Sequence, residues 1–396
     1  MKKKYSVDRI SPGDIFTADA FSEGDILFAS AGIPIKEKDL EGLLRWGITF
    51  VYSEGKLVDA AKDLANSKSG SVRMDKDDPM AMLFGGKAPG ALDAVVDNSI
   101  LTAYSDMVAR LNGIMESIAS NEKVDSKIID KLSQDILQLV REKESALISS
   151  VISLDIKGYN LARSGVNSAI LSIMVGQTLK LPAHRLMHLA TGALLHDVGM
   201  LRIPDSIIQK KGALSPEEAQ KMKAHPLISY RIITKELMYP EDIGLVALQH
   251  HERWDGAGYP RRGAGQGIDL LARIVSVADA FEAMISHKPY RDSMMGYTAI
   301  KNLLSDNSRR FDPDILKAFV KSIGIYPIGS TVVLNNAAIA RVIDSHAEAP
   351  LRPKLKIIVD EFGKHYKDDT GDVLDLLSEK TLFIAKALNT KEISRQ

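Results

Sequence analysis

His250 and His251 stand side by side and lead into Glu252-Arg253-Trp254-Asp255-Gly256-Ala257-Gly258-Tyr259-Pro260. Imidazole is the commonest biological metal ligand, so an adjacent pair next to carboxylates suggests a metal site. The glycines that follow let the backbone approach a bulky anion without interference from a Cβ. His196-Asp197 forms a second pair, closing the apolar stretch Leu189 to Leu195. His225 and Asp279 complete the set. His225 taken alone reads as a surface or capping histidine. Asp279 sits in the apolar run Ile274 to Phe281, where an unpaired carboxylate would be costly and calls for a cation or a strong hydrogen-bond network. Together His196, Asp197, His225, His250, His251 and Asp279 are enough for two ions bridged by Asp197. Such a pair can activate water and clamp a phosphoryl group for in-line attack. Lys288 and Arg291, beyond Asp279, are candidates to neutralise charge developing on the phosphate. His184, His188, His287, His346 and His365 read as structural or exposed.

The elements that must position these residues are mainly helical. Ala91 to Ser120 and Val124 to Ser150 read as two long amphipathic helices, without a heptad regular enough for a coiled coil. His196 and His250 each fall at the end of an apolar helix, where adjacent side chains can relax to face one ion. Residues 1–60 read as a small α+β module. Its strand candidates are Ile26-Leu27-Phe28 and Thr49 to Tyr52, with helical spacing from Glu37 to Trp46 between them. Residues 61–90, rich in Ser, Gly, Asp, Lys and Pro, read as a linker. Residues 91–150 hold the long helices, 151–325 the all-helical core, and 326–396 a β-rich appendage. In that appendage Thr331 to Leu334 and Lys356 to Asp360 are strands, and Glu379 to Leu388 is helical or mixed. The fold class expected is mainly α.

Composition narrows the chemistry. The 396-residue chain has no cysteine, which excludes disulfides and thiolate-held metals. His, Asp and Glu as ligands favour iron, manganese or zinc. Lys plus Arg equals Asp plus Glu at 51 each, which argues against a general DNA or RNA binder. No segment has the roughly 18 apolar residues of a membrane span, so no membrane association and a cytoplasmic location are expected.

The motifs resemble those of the HD-GYP family, a branch of the HD phosphohydrolase superfamily. The resemblance rests on His196-Asp197, the run His250 to Pro260, and Asp279-Ala280-Phe281-Glu282-Ala283-Met284. It extends to Ile203-Pro204-Asp205, Gly212 to Ser215, His225-Pro226, Phe311-Asp312-Pro313 and Tyr326 to Gly329. It implies an all-helical HD-type core with two or three iron or manganese ions. It also implies hydrolysis of cyclic di-GMP to pGpG or GMP by metal-activated hydroxide, with cyclic GMP-AMP as a related substrate. His196 and Asp197 are then the catalytic pair. Gly258, Tyr259, Pro260, Lys288 and Arg291 are then the substrate-binding residues.

Three positions depart from the family pattern. Ser164 stands where a ligand His is expected, Asn160 where some members carry a ligand Glu, and Met200 where the motif ends in Lys. The resemblance then leaves one ion with Asp197, His225, His250 and His251. The other keeps His196, Asp197 and Asp279 and is held more weakly, so that a single bound ion is one expected state. A chain that binds cyclic di-GMP without cleaving it, as a receptor or partner-interaction protein, is the alternative these departures allow. A homodimer built on the long helices and a signalling protein partner are further expectations.

Overall fold

The computed structural model describes residues 3–22, 27–29, 31, 35, 37, 40, 43, 48–58, 98–153, 160–210, 212–286, 294–305, 309–346, 348–366, 370–379 and 381–388. The linker expected over 61–90, most of the helix expected over 37–46, and Lys288 and Arg291 lie outside these residues.

The chain divides into two compact units, Asp93–Gly329 and a unit gathering both ends, Met1–Leu92 with Ser330–Gln396. The first is helical. Its elements are α1 (Asn98–Ala119), α2 (Ser126–Ser153), α3 (Leu161–Thr178), α4 (Ala183–Leu195), α5 (Asp205–Ile208), α6 (Pro216–Met222), α7 (His225–Arg231), α8 (Glu241–Gln249), α9 (Leu270–Ile285), α10 (Gly296–Ser305) and α11 (Pro313–Ile323). The fold is thus mainly α, as the periodicity predicts. The long helix α2 is kinked at Lys143, whose φ of −139° and ψ of 37° are not helical.

α3 is the centre of the unit. It is buried from Ser164 to Gly176, and α1, α2, α4, α9 and α11 pack round it. A helix apolar on every side must be enclosed in this way. The surrounding helices start at strong signals. Ser215 and Glu218 form a capping box before α6, Asp269 caps α9 through the Leu271 N–H, and Asp312 caps α11 ahead of Pro313. Asp312 also pairs with Arg273 of α9 at 2.6 Å, so Phe311-Asp312-Pro313 ties α11 to α9.

The other unit is antiparallel β. Strands β1 (Lys3–Ser6), β2 (Ile15–Phe16), β3 (Ala20–Ser22), β4 (Leu27–Ala29), β5 (Phe50–Ser53) and β6 (Leu57–Val58) form a four-stranded sheet in the order β1-β5-β3-β4 and a β2-β6 pair. Strands β7 (Thr331–Leu334), β8 (Ile339–Asp344), β9 (Lys354–Val359), β10 (Val373–Asp375) and β11 (Ile384–Leu388) form a sheet in the order β10-β9-β8-β7-β11. The segment read as helical or mixed ends in β11, an edge strand paired with β7. Its Ile384 and Leu388, both buried, are four apart, a spacing that suits one face of a helix and one face of a strand alike, and the strand carries a register shift between Ile384 and Lys386. No helix among the described residues is long and apolar enough to cross a membrane.

Candidate metal centre

α4 is helical through His196, and the backbone then leaves the helix at Asp197 (φ −104°, ψ 9°). The break lets both side chains of an adjacent pair face the same space. α8 ends similarly, with His250 as its last helical residue, and α7 opens on His225. Asp279 comes from the middle of α9.

These residues converge in two groups that share Asp197. Asp197, His225, His250 and His251 offer ligand atoms all within 4.8 Å of one another, as do His196, Asp197 and Asp279. Asp197 Oδ1 lies 3.1 Å from His225 Nε2 and 3.4 Å from His250 Nε2. His196 Nε2 is 3.5 Å from both Asp197 Oδ2 and Asp279 Oδ1. His225, surface-like by sequence alone, is buried.

The histidines are oriented for binding a cation. The Nδ1 atoms of His196, His225 and His250 lie 2.7, 2.7 and 2.8 Å from the carbonyls of Ala193, Met222 and Ala247. A carbonyl can only accept, so each Nδ1 carries a proton, and Nε2 is the atom that each ring turns toward the cluster. His196 Nε2 and Asp197 Oδ1 are buried without a well-formed hydrogen bond, although buried polar atoms are rarely left so. This donor set of nitrogen and carboxylate oxygen fits divalent cations. The side chains of Asp197 and Asp279 keep 19% and 18% exposure, so the cluster opens to solvent on its carboxylate side.

Electrostatics follow the same arrangement. Burial alone would raise the carboxyl of Asp197, but His196 and His225 hold it well below the usual range. Burial pushes His250 down, and burial together with His250 pushes His251 down further, keeping both neutral. Burial opposes charge on His196 too, yet Asp197 and Asp279 outweigh it and raise this imidazole to about 9.

The loop after His251 covers the cluster. The Tyr259 N–H donates to the His251 carbonyl at 3.2 Å, and its ring lies 4.8 Å from that of His251 at a 30° tilt. Gly258 and Pro260 flank it. The same loop is held to the segment before α11 by the N–H groups of Trp254 and Asp255, which donate to the carbonyls of Arg310 and Arg309. Lys223 Nζ stands 5.6 Å from the Tyr259 ring, a cation near the cluster that sequence reading passed over.

The three departures have clear surroundings. Asn160 caps α3, its Oδ1 accepting from the Arg163 N–H at 2.8 Å. Met200 packs in an apolar cluster with Ile203 and Ile207. Ser164 donates from Oγ to Glu282 Oε2 at 2.8 Å. Glu282 Oε1 accepts from Ser286 Oγ at 2.6 Å and from Asn167 Nδ2 at 3.4 Å, and Tyr104 donates to Asn167 Oδ1 at 2.7 Å. Glu282 was visible in the sequence only as part of a motif. Its signal is a carboxylate three residues past Asp279 on an apolar helix.

Comparison with known proteins agrees with the motifs. Residues 136–315 match the HD domain model, and residues 331–396 match a KOW domain associated with the HD domain. The chain is 33% identical over 232 residues to the cyclic di-GMP phosphodiesterase PA4108 of Pseudomonas aeruginosa, covering 59% of this chain and 55% of that protein. It is 33% identical over 235 residues to the cyclic di-GMP phosphodiesterase PdeB of Borreliella burgdorferi, covering 59% and 61%. With the cyclic di-GMP phosphodiesterase response regulator RpfG of Xanthomonas campestris pv. campestris, identity is 38% over 166 residues, covering 40% and 44%. The chain thus spans about half the length of these curated relatives. Residues 136–315 thus match an HD domain, and residues 331–396 the KOW domain associated with it.

Proposed function

We propose that the chain is a metal-dependent phosphodiesterase that hydrolyses a cyclic dinucleotide, cyclic di-GMP before others, to pGpG or GMP in the cytoplasm. The observation that carries this reading is the pair of ligand groups joined at Asp197. The names of the relatives support the choice of substrate. Two divalent ions, iron or manganese, would supply an activated water and positive charge to the reacting phosphate.

The residues of the chain do the rest. His225, His250 and His251 with Asp197 would hold one ion, and His196, Asp197 and Asp279 the other. The carbonyls of Ala193, Met222 and Ala247 fix the imidazole tautomers, so no ring must reorient on binding. Gly258, Tyr259 and Pro260 shape the substrate's side of the cluster, and Lys288 and Arg291 neutralise the phosphate. Met200, packed with Ile203 and Ile207, stands where the family pattern has an ammonium, and its lack of charge is expected to lower the rate.

Incubating the chain with cyclic di-GMP and Mn²⁺ or Fe²⁺, then resolving the nucleotides by chromatography, tests the reading. Linear pGpG or GMP is expected. Intact nucleotide that nevertheless binds would make the chain a receptor.

Metal dependence also has a structural readout. With His196 Nε2 and Asp197 Oδ1 buried and unsatisfied, removing divalent ions with a chelator is expected to lower the melting temperature. Restoring Mn²⁺ to 100 times its dissociation constant is expected to return about 2.7 kcal/mol. Melting curves that do not respond to chelator or Mn²⁺ would rule out a resident ion.

A further inference from the structure

We propose that Lys223 is a substrate-binding residue, whose ammonium takes the phosphodiester of a cyclic dinucleotide that is not being cleaved, beside the ring of Tyr259. The inference rests on the phosphodiesterase reading and deepens it at one edge of the same site.

Lys223 and Tyr259 are each tied to a member of the group Asp197, His225, His250 and His251. Lys223 follows Met222, whose carbonyl lies 2.7 Å from His225 Nδ1. The Lys223 N–H donates to the Ala219 carbonyl at 3.0 Å, so its backbone is held between α6 and that imidazole. On the other side, the Tyr259 N–H donates to the His251 carbonyl at 3.2 Å. The Tyr259 ring lies 4.8 Å from the His251 ring and 6.5 Å from the His225 ring. Gly258 makes this close return possible. A Cβ there would stand 2.6 Å from the same His251 carbonyl oxygen and 2.4 Å from the Arg253 nitrogen. Lys223 Nζ comes to 5.6 Å from the centre of the Tyr259 ring.

The ammonium is placed to meet an anion rather than to complete the ligand cluster. Asp197 and Asp279 pair with His196, His225 and His250, and among the described residues neither pairs with Lys223. The lysine is exposed, and its distance from the ring is close to the limit of about 6 Å at which a cation still gains from an aromatic face. That contact keeps the head group beside the site and leaves its charge for a stronger partner. A phosphate held between two ions would sit at Asp197, which both ligand groups share. A cyclic dinucleotide carries a second phosphodiester, which those groups do not serve. Lys223, across Tyr259 from His251, supplies a cation for that second charge at the rim of the cluster.

The test is steady-state kinetics of the full chain with Mn²⁺ on cyclic di-GMP and on bis(p-nitrophenyl) phosphate, which has a single phosphodiester. In K223M, KM for cyclic di-GMP is expected to rise about 10-fold or more, the worth of one hydrogen bond to a charged group, with kcat little changed. kcat/KM for bis(p-nitrophenyl) phosphate is expected to stay at the wild-type value. K223R keeps the charge and is expected to keep most of the affinity for cyclic di-GMP. K221M removes an exposed lysine two residues away, about 200° round the helix, and is expected to leave both substrates unaffected. An unchanged KM in K223M overturns the proposal. So does an equal loss on both substrates, which would put Lys223 at the cleaved phosphate or behind the ions. A K223R or K221M chain as weak as K223M also overturns it, because the effect would then be one of shape or of overall charge. A wild-type chain that cleaves neither substrate overturns the phosphodiesterase reading itself. Calorimetric titration of cyclic di-GMP then decides Lys223 separately. A dissociation constant about 10-fold higher in K223M supports the assignment. An unchanged one, or no binding by the wild type, overturns it.

Discussion

On the proposed two-ion phosphodiesterase reading, Asp197→Asn is expected to release both ions and to reduce turnover of cyclic di-GMP by at least about 1000-fold, beyond the 100–1000-fold typical of losing a single charge-stabilising donor. Asp197 is common to both ligand groups. Its Oδ1 faces His225 and His250, and its Oδ2 faces His196. Asparagine retains the shape but presents one neutral oxygen and an amide that repels a cation. Replacement of any one histidine would remove a ligand from one ion only. The measurement is metal content by elemental analysis beside turnover in the same preparation, with circular dichroism to establish the fold. A folded D197N chain that keeps two ions and wild-type turnover would remove Asp197 from the centre of the site.

The residues that the sequence marks as ligands are those the structure brings together, because each belongs to an element whose end is legible. His196 and His250 terminate apolar helices, and Asp279 is a carboxylate in a helix too apolar to hold one idly. His225 had no such signal. Its burial depends on α7 packing against the turn after Asp197, a contact between segments far apart in sequence. Glu282 went unread for a related reason. What identifies it is the hydrogen bond from Ser164, and only the packing of α3 against α9 creates that bond. Asn160 was read through the family pattern as a lost ligand, whereas locally it is a helix cap, which its type and place ahead of Leu161 could have shown. The mainly helical class followed from periodicity. The strand at 384–388 did not, because the spacing of Ile384 and Leu388 suits one face of a helix and one face of a strand alike.

Gly199→Ala is expected to lower the melting temperature on the order of 10 °C and to abolish binding of the ion that needs His225. An added Cβ at residue 199 would stand 2.3 Å from the His225 carbonyl oxygen and 2.6 Å from the Ser229 backbone nitrogen. These are backbone atoms, so no rotamer change relieves the clash, and α7 must move. Overpacking of this kind costs about 1–3 kcal/mol and sometimes more. At roughly 2–4 °C per kcal/mol for a unit of this size, the upper end of that range gives the stated shift. The loss of metal follows from the same movement. His225 Nε2 sits 3.1 Å from Asp197 Oδ1 only because the turn bearing Gly199 lies directly on the first turn of α7. The Gly199 N–H also donates to Ser229 Oγ at 2.8 Å, so part of the damage could arise from that bond. Ser229→Ala separates the two effects. It removes the hydroxyl without adding bulk at residue 199, and it is expected to cost about 1–3 kcal/mol while leaving the His225 site able to bind Mn²⁺. A G199A chain that melts and binds Mn²⁺ like the wild type would show that α7 is not seated on this glycine. The close approach is then not what brings His225 to Asp197.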